Sequence, residues 1–487
     1  MPFPLIAIVI AIASFALNVI SALLRPKTSD RPDKDWDIPT ATEGRSIPVV
    51  WGTDLQRAPN IIWWGDQREV RRNNIWRYFV GIAWALAHGA PVLKSIIVNE
   101  KVIWTGALTH GQELFLNLPN LFGQAGGGII WDLKYYQGNG TVGADPYLAS
   151  RVSSYPDHRR VAYLVSRGPA TWSAGSNWKG FIGNSPNLPK VEFELERFPD
   201  VPSGGAIGGD ANPIWMLYEA LTNNVWGCGV DPADAFEGID DASFQSAANQ
   251  VAAEGLGASY ILQESIQFPR FADMILRHVD GVLYREPTNG KWTVKLIRDD
   301  YNPNQLLILD ETNIIEVQEF GTDVSGNLRD VVRIKFADRT KQYKESVATF
   351  RNPAVRAIQG YSSAVELDFP MVRDPGVAQR IAEREALGYS YPLRRLRVTA
   401  TRKAANLRPG SVFRFVWAGY DVDAIFRVTS IRLGSPVDGV VIVEAVEDKF
   451  SIASTTIGAP PLPPPPPEDP PPPEDPPDDP PDGPPTE

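Results

Sequence analysis

The sequence has very few residues of the types that build metal and redox sites. Among 487 residues it holds one cysteine, Cys228, and four histidines. A single cysteine excludes an internal disulfide and a cysteine-rich zinc or iron–sulfur site. The histidines are scattered along the chain, so we predict no metal centre; they are His88, His110, His158 and His278. His278 ends a predicted helix, where a cation is favoured.

Positive charge is also in short supply. The chain carries 47 Lys and Arg against 58 Asp and Glu, a formal net charge of -11. Residues 460–487 hold 8 of the acids and no base, which leaves 50 acids against 47 bases and a charge of about -3 elsewhere. A strongly basic nucleic-acid-binding surface is therefore not expected.

No catalytic signature is present. The sequence lacks a G-x-S-x-G elbow, an H-E-x-x-H helix and a phosphate-binding loop motif. We interpret Gly126-Gly127-Gly128 as a loop and Cys228 as a small buried thiol. Asp240-Asp241 opens a predicted helix and needs only a capping role, whereas Asp299-Asp300 follows a predicted strand. Trp63-Trp64 could form a sugar platform, but core packing is the favoured interpretation.

What is present is enough apolar material for several cores. Hydrophobic residues make up 43% and charged residues 22% of the chain. At about 150 residues per domain, this length predicts two to four domains. Disorder along the whole chain is excluded.

The two ends differ from the body. Residues 4–24 carry no charge, and as a helix they would span about 30 Å, so they fit a helix buried in an assembly, a membrane anchor, or a removed or disordered leader. Residues 460–487 contain 17 prolines, which predicts an extended polyproline II tail that is either solvated or a docking spacer. We divide the chain into an apolar helix (1–25), a linker (26–46), a β-rich domain (47–200), a mixed α/β segment (201–309), a β-rich domain with one helix (310–458) and a disordered Pro/acidic tail (459–487).

Within the body, short-range signals predict individual elements. Asn99-Glu100 and Asn289-Gly290 each separate two apolar runs, which is hairpin chemistry. Asn212-Pro213 predicts a helix start, with Asn as the cap and Pro at the first helical position. Helices are also predicted from the Asp240-Asp241 pair to 253, over 271–279 up to Gly281, and over 374–390. Four evenly spaced strands between 395 and 446 suggest a small barrel or sandwich.

Several stretches, taken in order, resemble one protein family. The stretches 43–53 and 59–66 are similar to the opening of the central tail hub, or tip attachment, protein of long-tailed bacteriophages. The likeness resumes at 181–186, 212–213, 226–227, 277–285, 290–292, 407–413 and 444–450, and so covers about 40–455. The residues that carry it are Ile47, Pro48, Gly52, Trp63, Trp64, Gly65, Gly183, Asn184, Asn212, Pro213, Trp226, Gly227, Asp280, Gly281, Trp292, Pro409, Gly410, Glu447 and Phe450.

The resemblance implies a mainly β fold with α+β segments, a multidomain β-barrel or sandwich hub related to baseplate hub and type VI spike proteins. It implies a homotrimeric ring that closes the tail tube and takes part in genome ejection. Its partners would be the distal tail protein, the tape-measure protein and tip or fibre proteins, with viral DNA passing without sequence-specific binding. A transient membrane contact through residues 4–24 is part of this hypothesis. No catalysis, cofactor or metal is implied.

This chain departs from longer relatives, which continue into fibronectin-like and receptor-binding modules, because it ends in the Pro/acidic tail. Two other functions stay open from the sequence. One is a bacterial envelope protein anchored through residues 4–24, with the tail reaching through the wall. The other is a carbohydrate-active enzyme that uses acidic pairs and Trp platforms.

Overall fold

The computed structural model describes residue 36 and residues 46–73, 75–139, 143–169, 178–201, 203–322, 328–435 and 437–451. The predicted N-terminal helix and the proline-rich tail lie outside these residues. Within them, no helix has the length and apolar character that crossing a membrane requires.

Strands dominate the described residues between 46 and 200. They are β1 (Val49–Gln56), β2 (Asn60–Arg72), β3 (Ile75–His88), β4 (Val92–Val98), β5 (Lys101–Leu108), β6 (Glu113–Leu118), β7 (Ile129–Tyr136), β8 (Val161–Ser166), β9 (Phe181–Gly183) and β10 (Val191–Arg197). Two short helices interrupt them, α1 (Gly123–Gly126) and α2 (Pro146–Arg151).

Helices and strands mix in the rest of the chain. The strands are β11 (Ala206–Ile207), β12 (Asp210–Ala211), β13 (Tyr260–Leu262), β14 (Gly281–Arg285), β15 (Trp292–Leu296), β16 (Leu307–Leu309), β17 (Ile314–Thr322), β18 (Val331–Asp338), β19 (Lys344–Arg351), β20 (Ala364–Asp368), β21 (Arg394–Thr401), β22 (Val412–Trp417), β23 (Val422–Arg432) and β24 (Val440–Glu447). The helices are α3 (Pro213–Thr222), α4 (Asp241–Ala253), α5 (Phe268–Val279), α6 (Pro353–Gln359) and α7 (Pro375–Ser390). A mainly β chain with helical segments was predicted from the sequence, and this is confirmed.

The N-terminal region is built from two sheets that share a core. One has the order β13-β1-β10-β4-β5 and the other β2-β3-β8-β7-β6, with β9 pairing β3 and β7. Side chains alternate along a strand, so one face of each sheet can be apolar. Trp84 on β3 lies at the centre of the shared core, 5.7 Å from Trp131 and 5.8 Å from Phe193 between ring centroids.

A second core lies under the opposite face of β1. Val49 and Trp51 pack there with helices α3, α4, α5 and α7 and with the three-stranded sheet β19-β18-β20. This core therefore contains residues from all three of the body segments that were predicted to divide at residues 200 and 309. The domain boundaries proposed from the sequence stay a prediction.

The third core belongs to a six-stranded sheet of order β16-β22-β23-β24-β21-β17. The sheet curls: the ring of Phe320 on the edge strand β17 lies 6.0 Å, between centroids, from the ring of Phe415 on β22. The four strands predicted between 395 and 446 are all present in it.

Local capping signals from the sequence are confirmed. The Asn212 side chain accepts from the Ile214 backbone N–H, Asp240 accepts from Ser243, and Asp374 accepts from Val377. The predicted end of α5 at residue 279 is confirmed, but the left-handed position that follows is taken by Asp280, with φ 55°, and Gly281, the predicted helix stop, already begins β14.

Both predicted hairpins are also confirmed. Residues Asn99 and Glu100 connect β4 to β5, both with positive φ, as a tight two-residue turn requires. In the second hairpin β14 pairs β15, and Gly290 in the connection has φ 70°.

Candidate functional site

Two clusters of buried and half-buried ion pairs join segments that are far apart in the chain. The first, the N-terminal junction, consists of Asp54, Asp210, Ser259, Arg339 and Arg373. The second, the C-terminal junction, consists of Asp280, Glu286, Arg408, Arg427, Asp448 and Lys449. None of these ion pairs was predicted from the sequence. Asp280 alone among these residues was named beforehand, as a motif residue.

The central contact of the N-terminal junction is a forked pair between Arg373 and Asp54. Arg373 Nη2 lies 2.7 Å from Asp54 Oδ2, and Nε lies 3.0 Å from Oδ1. The side chains are 9% and 7% exposed, so water screens the pair poorly. The remaining Arg373 donors bond to the carbonyl oxygens of Pro370 and Val372. All of the charge is therefore compensated within the fold.

A second guanidinium fills the space beside this pair. Arg339 pairs with Asp210 and donates to Ser259 Oγ (3.0 Å) and to the Thr53 carbonyl (2.9 Å). Ser259 in turn donates to Asp210 over 2.6 Å. These bonds tie β1, β12 and the strand β13 region to the turn after β18.

The backbone of Gly52 explains why β1 can enter this junction. Its φ is 66°, and a Cβ there would lie 2.0 Å from Ser259 Oγ and 2.9 Å from the Ala211 nitrogen. Only glycine tolerates both the conformation and the close approach. The next-door Trp51 donates from Nε1 to Glu219 (2.7 Å), which also pairs with Arg197.

The C-terminal junction fastens the curled sheet to the β14–β15 hairpin and to α5. Arg408 makes a forked contact with Glu286, Nη2–Oε1 at 2.7 Å and Nε–Oε2 at 2.9 Å. The hydrogen bonds from Arg408 hold the pKa of Glu286 below its ordinary value. Lys449 Nζ lies 2.7 Å from Asp280 Oδ2. This contact connects the residues after β24 to the end of α5.

Arg427 is the buried centre of this junction. Its Nε lies 2.8 Å from Asp448 Oδ1, and its other nitrogens donate to the carbonyls of Gly410 (3.0 Å) and Arg298 (2.9 Å). The guanidinium also lies 5.8 Å from the Phe450 ring centroid. Arg298 precedes the curled sheet in the chain. These bonds therefore connect the sheet to the segment before residue 309, where a domain boundary was predicted.

The motif residues fall into three groups in space. Gly52 contacts the N-terminal junction, Asn212, Pro213, Trp226 and Gly227 lie in or beside the second core, where Trp226 meets Trp51 at 5.3 Å, and Ile47 and Pro48 directly precede β1. In the N-terminal sandwich lie Trp63, Trp64, Gly65, Gly183 and Asn184. At or near the C-terminal junction lie Asp280, Gly281, Trp292, Pro409, Gly410, Glu447 and Phe450.

The sandwich group has structural contacts. The Trp63 ring covers Gly65, where a Cβ would lie 2.7 Å from it, and meets the Tyr147 ring at 5.7 Å. Trp63 is buried, so it is not a sugar platform. Asn184 donates to the Ala125 carbonyl (3.0 Å) and packs against Gly127, which places the glycine-rich loop of 126–128 here.

The residues considered for chemistry do not assemble into a reaction centre. Asp299 and Asp300 are exposed, and Asp240 caps α4. Among the described residues no group of His, Cys, Asp and Glu could hold a metal ion. Cys228 is half-buried rather than fully buried, and burial raises its pKa to about 11, so it is a weak nucleophile.

His278 corrects another sequence expectation. It is buried at the end of α5 with Nε2 3.1 Å from the Gly257 carbonyl. Burial, together with the nearby Arg384, lowers its pKa to about 4, so it is neutral at pH 7 and not the predicted helix-end cation. Arg384 supplies the charge instead, by donating to the carbonyls of Arg277 and His278.

Comparisons with known proteins point to one class. Residues 299–431 match a protein family described as putative phage tail protein. A chain from the virion of a native gene transfer agent particle is 15% identical, with a TM-score of 0.51 over 88% of this chain and 91% of that chain. No curated protein matches the sequence.

Two solved tail proteins are more distant in structure. A tail protein from Neisseria meningitidis MC58 is 12% identical over 75% of this chain and 98% of that chain, with a TM-score of 0.32. The 43 kDa tail protein of prophage MuSo2 from Shewanella oneidensis is 9% identical over 83% and 98%, with a TM-score of 0.30.

The matched segment and the fold shared with the gene transfer agent chain support a structural role in a phage-type tail. The matched segment begins at the end of the β14–β15 hairpin and takes in most of the curled sheet. It therefore includes two of the six residues of the C-terminal junction, Arg408 and Arg427.

Proposed function

We propose that this protein is the tail-tip hub of a phage-type particle, a trimeric ring that closes the tail tube, docks tip or fibre proteins and takes part in genome delivery. The observation that carries the proposal is where the hub-like motif residues lie. Gly52, Asp280, Gly410 and Phe450 contact the two junctions, which join the three cores.

A ring subunit has to keep its neighbouring surfaces at fixed angles. Forked arginine–carboxylate pairs fix both distance and orientation, which a purely apolar contact does less strictly. The junctions at Arg373 and Arg408 are of this kind. Residues that serve such a geometry need no reactive group, in agreement with the low reactivity of Cys228.

Charge supports the passage of DNA through such a ring. A lumen rich in Lys and Arg would hold the phosphate backbone and release counterions, which would slow transit. Outside residues 460–487 the chain is close to balanced, with 47 bases and 50 acids. In this proposal the ring contacts the distal tail protein and the tape-measure protein, and residues 4–24 reach the host membrane during ejection.

The test is the mass of the purified full-length protein at micromolar concentration, combined with electron microscopy of particles that carry a tag on this chain. A trimeric mass and a tag at the tail tip are expected. A monomer that also fails to form a ring in assembled tails would contradict the proposal. A tag along the tail shaft would support a tail protein but reject the tip position.

A further inference from the structure

The β2–β3 hairpin extends past the strands that flank it. β8 pairs β3 from Ile82 onward, and β9 reaches only Tyr78 and Phe79. From Arg68 to Arg77 the described residues form a ribbon of two strands, which we call the arginine tip and define as residues 67–77. A ribbon of this length without further strands is marginally stable by itself, so it is suited to gain from a partner.

The arginine tip combines positive charge with exposed apolar rings. Residues 67–77 contain four arginines and one glutamate, a net charge of +3. Ile75 is 38% and Trp76 is 40% exposed. The Arg71 guanidinium lies 5.7 Å from the Trp76 ring centroid, so the charge sits beside the apolar patch. Trp and Arg are the residues most enriched at energetic centres of protein interfaces.

A complementary surface lies at the other end of the chain. Strand β17 is the edge of the curled sheet and pairs with β21 on one side only, among the described residues. Residues 310–322 hold four acids and no base. Glu316 and Glu319 are exposed, and Ile315 beside them is 57% exposed. Arg397, opposite Glu319 on β21, lies 3.6 Å from Glu444 on β24.

An open edge strand with exposed apolar residues is a template for pairing with another chain, and folded proteins normally cover or protect it. The charges of 310–322 discourage pairing with a second acidic edge but favour a basic ribbon. The apolar residues Ile315 on one surface and Ile75 and Trp76 on the other supply the buried centre that such a contact needs.

We propose that the arginine tip of one copy docks along the β17 edge of a second copy of this chain. Because the two surfaces differ, the contact is head-to-tail, and a head-to-tail contact closes a ring when the rotation between neighbouring copies closes on itself. The inference rests on the proposed function, since it names the surfaces through which the ring subunits meet.

Cross-linking tests the contact directly. In full-length protein with Cys228→Ala, one variant carries Trp76→Cys and another carries Ile315→Cys. Mixing the two with a short bismaleimide is expected to give a covalent dimer, whereas each variant alone gives none. The Cys228→Ala protein alone measures background.

Charge reversal tests the same contact without a cross-linker. Arg71→Glu is expected to raise the protein concentration needed for assembly at least tenfold. Adding Glu316→Arg to this variant is expected to reverse much of that increase. Matched controls are Arg159→Glu, on a side chain 74% exposed, and Ile358→Ala, on a residue 82% exposed, and neither is expected to change assembly.

The outcomes separate the inference from the function. A chain that assembles but gives no mixed cross-link, and is unaffected by Arg71→Glu, overturns the arginine tip contact while the ring stands. A chain that remains monomeric, alone and in assembled tails, overturns both. A variant that fails to assemble is scored only after its unfolding midpoint matches that of the parent protein.

Discussion

Asp54 and Arg373 are separated by 319 positions in the sequence, yet they form a forked, buried ion pair with N–O distances of 2.7 and 3.0 Å. Asp54 belongs to the first described strand, and Arg373 lies just before α7. The pair fixes β1 to the segment that leads into α7. The stability of the junction therefore depends on both residues being present.

We predict that Arg373→Met destabilises the protein by about 3–5 kcal/mol, because it leaves the Asp54 carboxylate buried without a counter-charge. Urea unfolding of the full-length protein measures this loss. Combining it with Asp54→Leu should cost less than the sum of the two single changes, since the double variant buries no lone charge. Additive losses would contradict the coupling.

The matched control is the surface pair Arg414–Asp423, whose side chains are 40% and 53% exposed. Solvent screening leaves such exposed pairs with little net effect on stability. Arg414→Met is therefore expected to shift the urea midpoint little. Equal losses at Arg373 and Arg414 would reject burial as the cause.

Gly52 offers a second prediction. Gly52→Ala is expected to destabilise the protein by several kcal/mol, since it adds a clash with Ser259 and Ala211 to the strain of a positive φ. Gly111 is the matched control, because its φ is 77° but a Cβ there would have no atom within 4 Å. Substituting it measures the cost of the positive φ without a clash. Gly111→Ala should cost only about 1 kcal/mol. Thermal unfolding of the two variants measures the difference. Equal shifts of the midpoint would show that the clash at Gly52 does not add to the cost of the positive φ.

Acid sensitivity follows from the buried histidines. Burial, aided by nearby arginines, lowers the pKa of both His88 and His278 to about 4, below the ordinary value of 6.5. Between these two pH values the unfolded chain binds more protons than the folded chain, so stability falls as pH drops from about 6.5 towards 4. Each histidine contributes a slope of up to about 1.4 kcal/mol per pH unit in that window.

The measurement is the unfolding free energy at pH 7.5 and pH 5.0 for the parent protein and for His278→Gln. Glutamine can still donate to the Gly257 carbonyl but takes up no proton, so its variant should lose less stability on acidification. An unchanged pH dependence would indicate that the pKa of His278 is the same in the folded and the unfolded chain, which would contradict the prediction. His110, on an exposed loop, provides the matched control as His110→Gln.

The sequence was informative where a few neighbouring residues decide the structure. Asn212, Asp240 and Asp374 marked helix starts, because a cap bonds within three residues of itself. The turn at Asn99 and Glu100 was equally local. The resemblance to tail proteins, drawn from ordered motifs, is supported by the family match at 299–431 and by the shared fold.

The ion pairs could not be predicted in the same way. Nothing in the spacing of Asp54 and Arg373, or of Glu286 and Arg408, distinguishes them from other acids and bases. The charge state of His278 also depended on burial by chain segments far from it in sequence. Strand β7 (Ile129–Tyr136) was not predicted; it directly follows the glycine-rich stretch 126–128, which was interpreted as a loop.

The C-terminal junction allows a test of geometry apart from charge. Arg408→Lys keeps the positive charge but loses the forked contact with Glu286, in which two nitrogens face two oxygens at 2.7 and 2.9 Å. We expect a loss of about 1–2 kcal/mol for the hydrogen bonds that a lysine cannot make. Hydrogen exchange should rise in β14 and β15, which hold Glu286 in place, and stay unchanged in the N-terminal sandwich. A uniform rise across the protein would mean that the junction is not a local fastening but part of one cooperative core.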